Sequence, residues 1–401
     1  MAISIFAAPL RYVQGPDALM SLGDQLRAFG IGNPLVVTSK SGRKAVEQAL
    51  TRSLAACGIG CAFVDFGGEC TRKEIERIKQ ACLNGNHDAI INCGGGKTID
   101  AGRCAAAGTV TNVSKSPPER IERFGAGVPC INIPTVAATD AATSASSLVH
   151  KDDGTPDALF SLPTNPLMVF VDTSVIARSP VRLLVAGMGD AIATWFEADM
   201  CFRTSTPTVS LRGQSTRTAR ALAKLCFDLV MEYGVKAKAE AEAQVAGPAI
   251  EAVTEANILL SGLGVQSGGL SAAHAIGNAF EHIGGSFRQP RFHGEMVAFG
   301  TLTQLVLESR ESVIVDALFR FYRAVGLPTT FDELALEDKS DEILGTVANF
   351  ASRDILIRSM TGASKEGDKE GRFFDPDLIL SALKAVDAYG RNLSDESGRR
   401  C

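Results

Sequence analysis

At 401 residues, with 45% apolar and 21% charged side chains, the chain has the make-up of an ordinary globular protein long enough for two or three cores. A formal charge of −5 excludes a generalised nucleic-acid surface, and no stretch approaches the about 18 uncharged apolar residues of a membrane span. The opening MAISIFAAPLRYVQG has no basic leader, which points to the cytoplasm; ten scattered cysteines without a C-x-x-C pair read as reduced core residues, not a disulfide or zinc framework.

Between residues 34 and 172, short β-branched runs alternate with helical stretches. PLVVTS (34–39), CAFVDF (61–66), DAIINC (88–93), CINIP (130–134) and LMVFVD (167–172) read as strands. GRKAVEQALTRSLAACG and TRKEIERIKQACLNG, between the first three, carry helical spacing of apolar residues. Such alternation predicts a mainly parallel sheet with right-handed crossovers. Residues 115–129, with two prolines and mixed charge, read as an exposed connection, and 150–166 as a turn or hairpin on the sheet's edge. Beyond Pro180 the texture becomes alanine- and leucine-rich and helical. The chain therefore divides into an α/β domain, residues 1–179, and an all-helical domain, residues 180–401, with a tail expected to fray after Asn392.

The third strand runs into Gly94-Gly95-Gly96-Lys97. Bare backbone in a strand-to-helix turn lets an anion approach closely, and the helix N-terminus beyond it offers unpaired N–H groups. The spacing matches neither G-x-G-x-x-G nor the P-loop, so the turn alone indicates a phosphate only by its position at the carboxyl edge of a parallel sheet. In the helical half, three stretches set titratable groups among glycine and alanine: VAGMGDAIATWFEA with Asp190, SGGLSAAHAIGNAFEHIGG with His274 and His282, and RFHGEMVAFGTL with His293. Each alone reads as an N-cap carboxylate or a core histidine. In a chain with only five histidines, one carboxylate and two imidazoles form a sound set for Zn²⁺ or Fe²⁺, with a coordination position open for a substrate oxygen. His282 competes with His274 as a member of that set. H-E-x-x-H is absent, which argues against a metalloprotease.

Taken in order, GGGKTID, IPTVAATDAATSASSLVH, GMGDAIATWFEA, SGGLSAAHAIGNAF and HGEMVAFGTLTQLVLE resemble the successive signatures of glycerol dehydrogenases, a zinc-using branch of the iron-containing alcohol dehydrogenase family. The resemblance spans residues 10 to 390. It implies a Rossmann-like NAD domain followed by an all-helical domain (the dehydroquinate synthase-like fold), with a metal in the cleft between them. Metal ligands would be Asp190, His274 and His293. The pyrophosphate would lie on Gly94, Gly95, Gly96 and Lys97, with Asp100 close by. Thr135, Thr139, Ser144, Ser146, Leu148 and His150 would take cofactor roles, and Asp140 would bind substrate. The implied activity is hydride transfer between NAD and a small polyol, glycerol to dihydroxyacetone or a related vicinal diol, by a cytoplasmic homo-oligomer, an octamer or smaller, with no nucleic-acid or membrane partner. A zinc ion bound by one carboxylate and two neutral imidazoles keeps positive charge and lowers the pKa of a substrate hydroxyl.

The chain departs from the family pattern at several points. Thr194 stands where iron-type members carry a fourth-ligand histidine, which fits the three-ligand zinc branch. Gly277, beside Asn278, replaces an expected histidine. Ser39 replaces the usual ribose-binding acid, with Lys40 and Arg43 following, so NADP is expected to be tolerated beside NAD. Region 108–129 is longer than the family's usual connection. Arg288 and Arg291 in EHIGGSFRQPRFHG keep open a glycerol-1-phosphate or hydroxy-acid dehydrogenase on the same fold, and a non-catalytic dinucleotide-binding protein is the remaining alternative.

Overall fold

The computed structural model describes residues 3–115, 117–362 and 367–398. Among them, every strand lies before Thr173: β1 (Arg11–Gly15), β2 (Pro34–Thr38), β3 (Ala62–Asp65), β4 (Ala89–Gly94), β5 (Thr109–Asn112), β6 (Glu119–Glu122), β7 (Cys130–Pro134), β8 (Ser146–His150), β9 (Pro156–Ser161) and β10 (Met168–Asp172). Helices α1 (Leu22–Ala28), α2 (Lys40–Ala56), α3 (Arg72–Asn84) and α4 (Gly96–Ala106) are interleaved with the first strands. Six strands pair in parallel in the order β1-β10-β7-β4-β2-β3. The central strands β10, β7, β4 and β2 read as continuous apolar runs because both sheet faces are covered. Val36, Ile91 and Phe170 pack with Leu22, Val46 and Leu50 on one side. Leu35, Val37 and Ile90 pack with Ile75, Ile78 and Cys104 on the other.

All five expected strands form within a residue or two of the expected bounds. The sheet gains a sixth, β1, paired in parallel to β10 at its edge. The connection expected over 115–129 instead contains β6, which pairs antiparallel with β5. Its sequence ERIE is mostly exposed, so no apolar alternation marks it. With the expected hairpin, β8–β9, these strands form a second sheet, ordered β6-β5-β9-β8.

From Asp172 onward the described chain is helical: α5 (Thr173–Ala177), α6 (Val181–Thr204), α7 (Arg217–Glu242), α8 (Pro248–Glu255), α9 (Ser261–Gly268), α10 (Ala272–His282), α11 (His293–Leu307), α12 (Ser312–Val325), α13 (Asp341–Arg353) and α14 (Pro376–Gly398). Helix α14 continues past Asn392 to Gly398; Cys401 lies outside the described residues. None of the described helices is long and apolar enough to cross a membrane. The described cysteines are all free thiols.

Helices α8 and α9 are joined by a π-turn, Ala256–Leu260. That turn is where the segment after β7 docks. Asn257 Nδ2 donates to the carbonyls of Ala137 (2.9 Å) and Leu184 (3.2 Å), and Thr143 Oγ1 donates to Ile258 O at 2.7 Å. A π-turn frees backbone carbonyls from the i−4 ladder, which suits it to such contacts. The sheet's carboxyl edge is thereby held against the helical half.

Candidate active site and metal centre

Asp190 lies in the middle of α6, His274 on α10, and His293 opens α11. Two glycines bring these elements together. A Cβ on Gly294 would lie 1.9 Å from Ala186 O, and one on Gly189 2.4 Å from Gly294 O, so only bare backbone lets α6 touch the start of α11. Gly187 does the same for the segment after β7, since its Cβ would meet Ala137 O at 1.9 Å. The result is that one ligand atom from each of Asp190, His274 and His293 falls within 4.8 Å of the others.

The donor set fits a divalent ion. Asp190 Oδ1 is buried and lies 3.2 Å from His274 Nε2, yet it makes no hydrogen bond. Two acceptor-type atoms facing one another without a proper bond are what a shared cation would satisfy. Burial works against charge on His274, but the Glu197 and Asp190 carboxylates hold its pKa well above the ordinary range. His293 is likewise raised, burial being outweighed by Glu281 and Asp190. Asp190 is lowered, despite burial, by the same two imidazoles.

Behind His274 stands Glu197, fully buried and one heptad along α6 from Asp190. Its Oε2 accepts from His274 Nδ1 at 2.6 Å, while Oε1 accepts from the Ser271 and His274 amides at 2.7 and 2.9 Å. This fixes the imidazole with Nδ1 protonated and Nε2 turned toward Asp190. Sequence reasoning missed Glu197; the available signal was its i+7 spacing from Asp190 on an otherwise apolar helix. Glu281 Oε2 lies 3.8 Å from His293 Nδ1, close enough for its charge to act on that imidazole but not for a hydrogen bond.

Asp140 sits beside this cluster. Its Oδ2 accepts from Ser261 Oγ at 3.1 Å, and Ser261 Oγ is 3.0 Å from Thr194 Oγ1. Burial first, then the Asp190 charge, pushes the Asp140 carboxyl up to about 7. Thr194 is therefore taken up by Ser261. His282 is exposed and stacks on Phe350 with ring centroids 4.4 Å apart, which removes it as a rival to His274. Gly277 meets Val297, and Asn278 donates to Asp354 Oδ2 at 2.9 Å.

At the carboxyl edge of the sheet, Gly94 closes β4 and Gly95 is the N-cap of α4, in an extended conformation without a capping side chain. The nearest atom to a Cβ on Gly95 would be 3.7 Å away, so the turn is open on that side. Thr135 N donates to Gly94 O at 3.1 Å, and the Thr139 methyl lies against Gly96. Lys97 Nζ reaches Glu69 Oε2 at 2.5 Å, and Glu69 Oε1 is 3.1 Å from His150 Nδ1. The turn and the segment 135–140 thus form one open, amide-lined edge suited to a pyrophosphate.

Asp100, Ser144, Ser146 and Leu148 meet at a single buried guanidinium. Arg103, 1% exposed, donates to Ser147 Oγ (3.0 Å), to the carbonyls of Ala141 and Ser144 (both 2.5 Å), to Ser146 O and to Asp100 Oδ1 (2.5 Å). Asp100 Oδ2 accepts from Leu148 N at 3.2 Å. Asp100 therefore shapes the 141–148 segment. Ser146 Oγ pairs with Ser210 Oγ at 2.6 Å. Ser39, at the end of β2, is the N-cap of α2, accepting from Gly42 N at 3.1 Å. Arg43 is occupied by Glu47 and Asp65 and lies over Phe63.

Residues 9–173 match the family model described as iron-containing alcohol dehydrogenase. A glycerol dehydrogenase of Escherichia coli O6:H1 is 37% identical over 98% of this chain and 99% of its own. One from Pseudomonas putida is 39% identical over 92% and 98%. The crystal structure of glycerol dehydrogenase from Schizosaccharomyces pombe superposes with a TM-score of 0.86 at 32% identity, covering 99% of this chain and 94% of that one. With this parallel sheet, helical half and Asp-His-His cluster, the chain belongs to the iron-containing alcohol dehydrogenase family, in its glycerol dehydrogenase group, and is an oxidoreductase acting on CH–OH groups.

Proposed function

We propose that this protein is a zinc-dependent glycerol dehydrogenase, interconverting glycerol or a close vicinal diol and its hydroxyketone with NAD. The observation that carries this reading is Asp140 standing beside the Asp190, His274 and His293 cluster, which supplies one site for the reacting hydroxyl and another for its neighbour. Zinc is favoured over iron because the three ligands lack a fourth at Thr194, whose hydroxyl is engaged by Ser261. A zinc ion held by Asp190, His274 and His293 would supply the Lewis acidity that lowers the pKa of a substrate hydroxyl, and a dinucleotide with its pyrophosphate on the glycine turn would supply the hydride acceptor.

The chain's own groups do the rest. Glu197 keeps the His274 Nδ1 proton in place, so Nε2 presents its lone pair. Asp140, braced by Ser261, bonds the second hydroxyl and orients the diol. Gly94–Gly96 and Lys97 hold the pyrophosphate, and exchange of Lys97 from Glu69 accompanies that binding. Arg103 keeps the segment bearing Ser144, Ser146 and Leu148 in the shape that borders the nicotinamide. Division into a dinucleotide domain (1–179) and a catalytic domain (180–401), a cytoplasmic setting and homo-oligomeric assembly belong to the same reading.

Arg288 and Arg291 do not favour a phosphorylated substrate. Their partners are Asp332 and Glu295, on a cavity whose lining includes none of Asp140, Asp190, His274 or His293. The test is a panel of polyols, simple alcohols, hydroxy acids and phosphorylated polyols, assayed with both nicotinamides after zinc repletion. Glycerol and 1,2-diols are expected to lead in kcat/KM. A clear preference for a phosphorylated polyol or a hydroxy acid would replace this reading with the alternative.

A further inference from the structure

Behind the start of α11 lies a cavity of about 780 Å³, lined among others by Arg288, Arg291, Arg323, Asp332 and Glu333. Its distinguishing member is Arg291. The side chain is only 9% exposed, yet among the described residues it donates no hydrogen bond, and its Nε is an orphan. The nearest carboxylate, Glu295, is 3.7 Å away and already committed: it accepts from Arg182 Nε and Nη2 at 2.6 and 2.8 Å and from Phe292 N at 3.0 Å. A buried guanidinium has five donors to satisfy, and leaving them empty is costly.

The acids on the cavity wall do not fill this need. Glu333 Oε2 accepts from the Thr329 amide and hydroxyl, both at 2.7 Å. Asp332 is held by Lys339, by Arg391 at 3.4 Å and by Arg288 at 3.6 Å. The Arg288 side chain is 52% exposed, and among the described residues its guanidinium makes one hydrogen bond, from Nη2 to Asp332 O at 3.3 Å, so most of its donors also remain available. Two such guanidinium groups suit a tetrahedral dianion better than a single carboxylate. The space is far larger than one phosphate and accommodates an attached organic group.

We propose that this cavity is a binding site for a phosphate group, free or as a small phosphate monoester, held by Arg291 and Arg288. The site is separate from the dinucleotide turn and from the Asp190 cluster, and it does not depend on the catalytic reading above. Arg291 is two residues before His293, so occupancy would brace the turn from which α11 starts.

The test is calorimetric titration of the full-length, zinc-loaded protein with inorganic phosphate at constant ionic strength. NADH is kept saturating, so that the glycine turn is filled. Saturable binding of one phosphate per chain is expected, weakened at least about tenfold in Arg291→Gln and several-fold in Arg288→Gln, with NADH affinity unchanged. Arg291→Gln removes a buried, unmatched charge, so its melting temperature without phosphate should equal or exceed that of the wild type. Should that variant fail to fold, the exposed Arg288→Gln decides alone. A parallel titration with glycerol 3-phosphate separates the sources: tighter binding than phosphate assigns a monoester, equal binding the free ion. Absence of saturable phosphate binding, or binding unaltered in the folded variants, would overturn the proposal.

Discussion

Glu197 makes the sharpest residue-level prediction, because its only visible business is with the His274 ring and the turn that carries it. Glu197→Gln keeps the shape and an amide oxygen but removes the charge that orients Nδ1–H. Zinc affinity, measured by competition with a chromophoric chelator, should fall about 10- to 100-fold while the far-ultraviolet spectrum stays the same. Unchanged affinity would mean that the Glu197–His274 contact is merely structural. At Asp140, the Asn substitution should cost about 1.5 to 3 kcal/mol, or roughly 10- to 150-fold in kcat/KM, for 1,2-diols. Simple secondary alcohols should lose much less, and equal losses would reassign Asp140 to loop structure. Asp190, His274 and His293 stood out in the sequence only as a set: each alone reads as an N-cap carboxylate or a core histidine, and the combination of one carboxylate with two of only five histidines drew them together. Glu197 was not, since a single glutamate on a long helix reads as a solvated face until the fold shows that the face is buried. Arg103 was hidden for the same reason: nothing local says that its guanidinium turns inward to collect the carbonyls of a segment some 40 residues on.

Elements were readable in proportion to how much apolar surface they bury. Strands β2, β4, β7 and β10 are central and nearly uniformly buried, so they appear as unbroken β-branched runs. Strands β1 and β6 lie at sheet edges, half-buried or exposed, and carry no such run. The π-turn after α8 was equally silent, because ANILL propagates a helical pattern and only its contacts to Ala137 and Thr143 give it a role. At the end of β2, Ser39 offers a clean substitution. Asp is as good an N-cap as Ser, so Ser39→Asp should leave the melting temperature unchanged. The same change should swing the kcat/KM ratio toward NAD and away from NADP, and an unaltered ratio would show that Ser39 does not face the ribose. At the crossing of α6 and α11, Gly294→Ala should be severe. Its methyl would fall on Ala186 O, and driving the helices apart should cost about 1 to 3 kcal/mol in denaturant unfolding and reduce zinc occupancy with it.

For the molecule as a whole, the metal-free charge arrangement has a measurable consequence. The pKa values of His274 and His293 are both raised by neighbouring carboxylates, so protons compete with a metal for these imidazoles. Loading zinc should therefore release protons, seen as a dependence of the binding heat on the ionisation enthalpy of the buffer, and the apparent affinity should rise with pH. No buffer dependence would show that the two imidazoles are neutral before the metal arrives. The glycine turn lies on the sheet and the ligand cluster on α6, α10 and α11, so dinucleotide and metal sites should be separable by mutation. The most direct measurement is glycerol-dependent NAD reduction by metal-stripped protein titrated with Zn²⁺, in the wild type and in His293→Ala, with NADH binding followed by fluorescence in both. The account predicts that wild-type activity rises linearly and saturates at about one equivalent per chain, and that His293→Ala stays inactive while binding NADH normally. Full activity without metal, or wild-type turnover in His293→Ala, would contradict it.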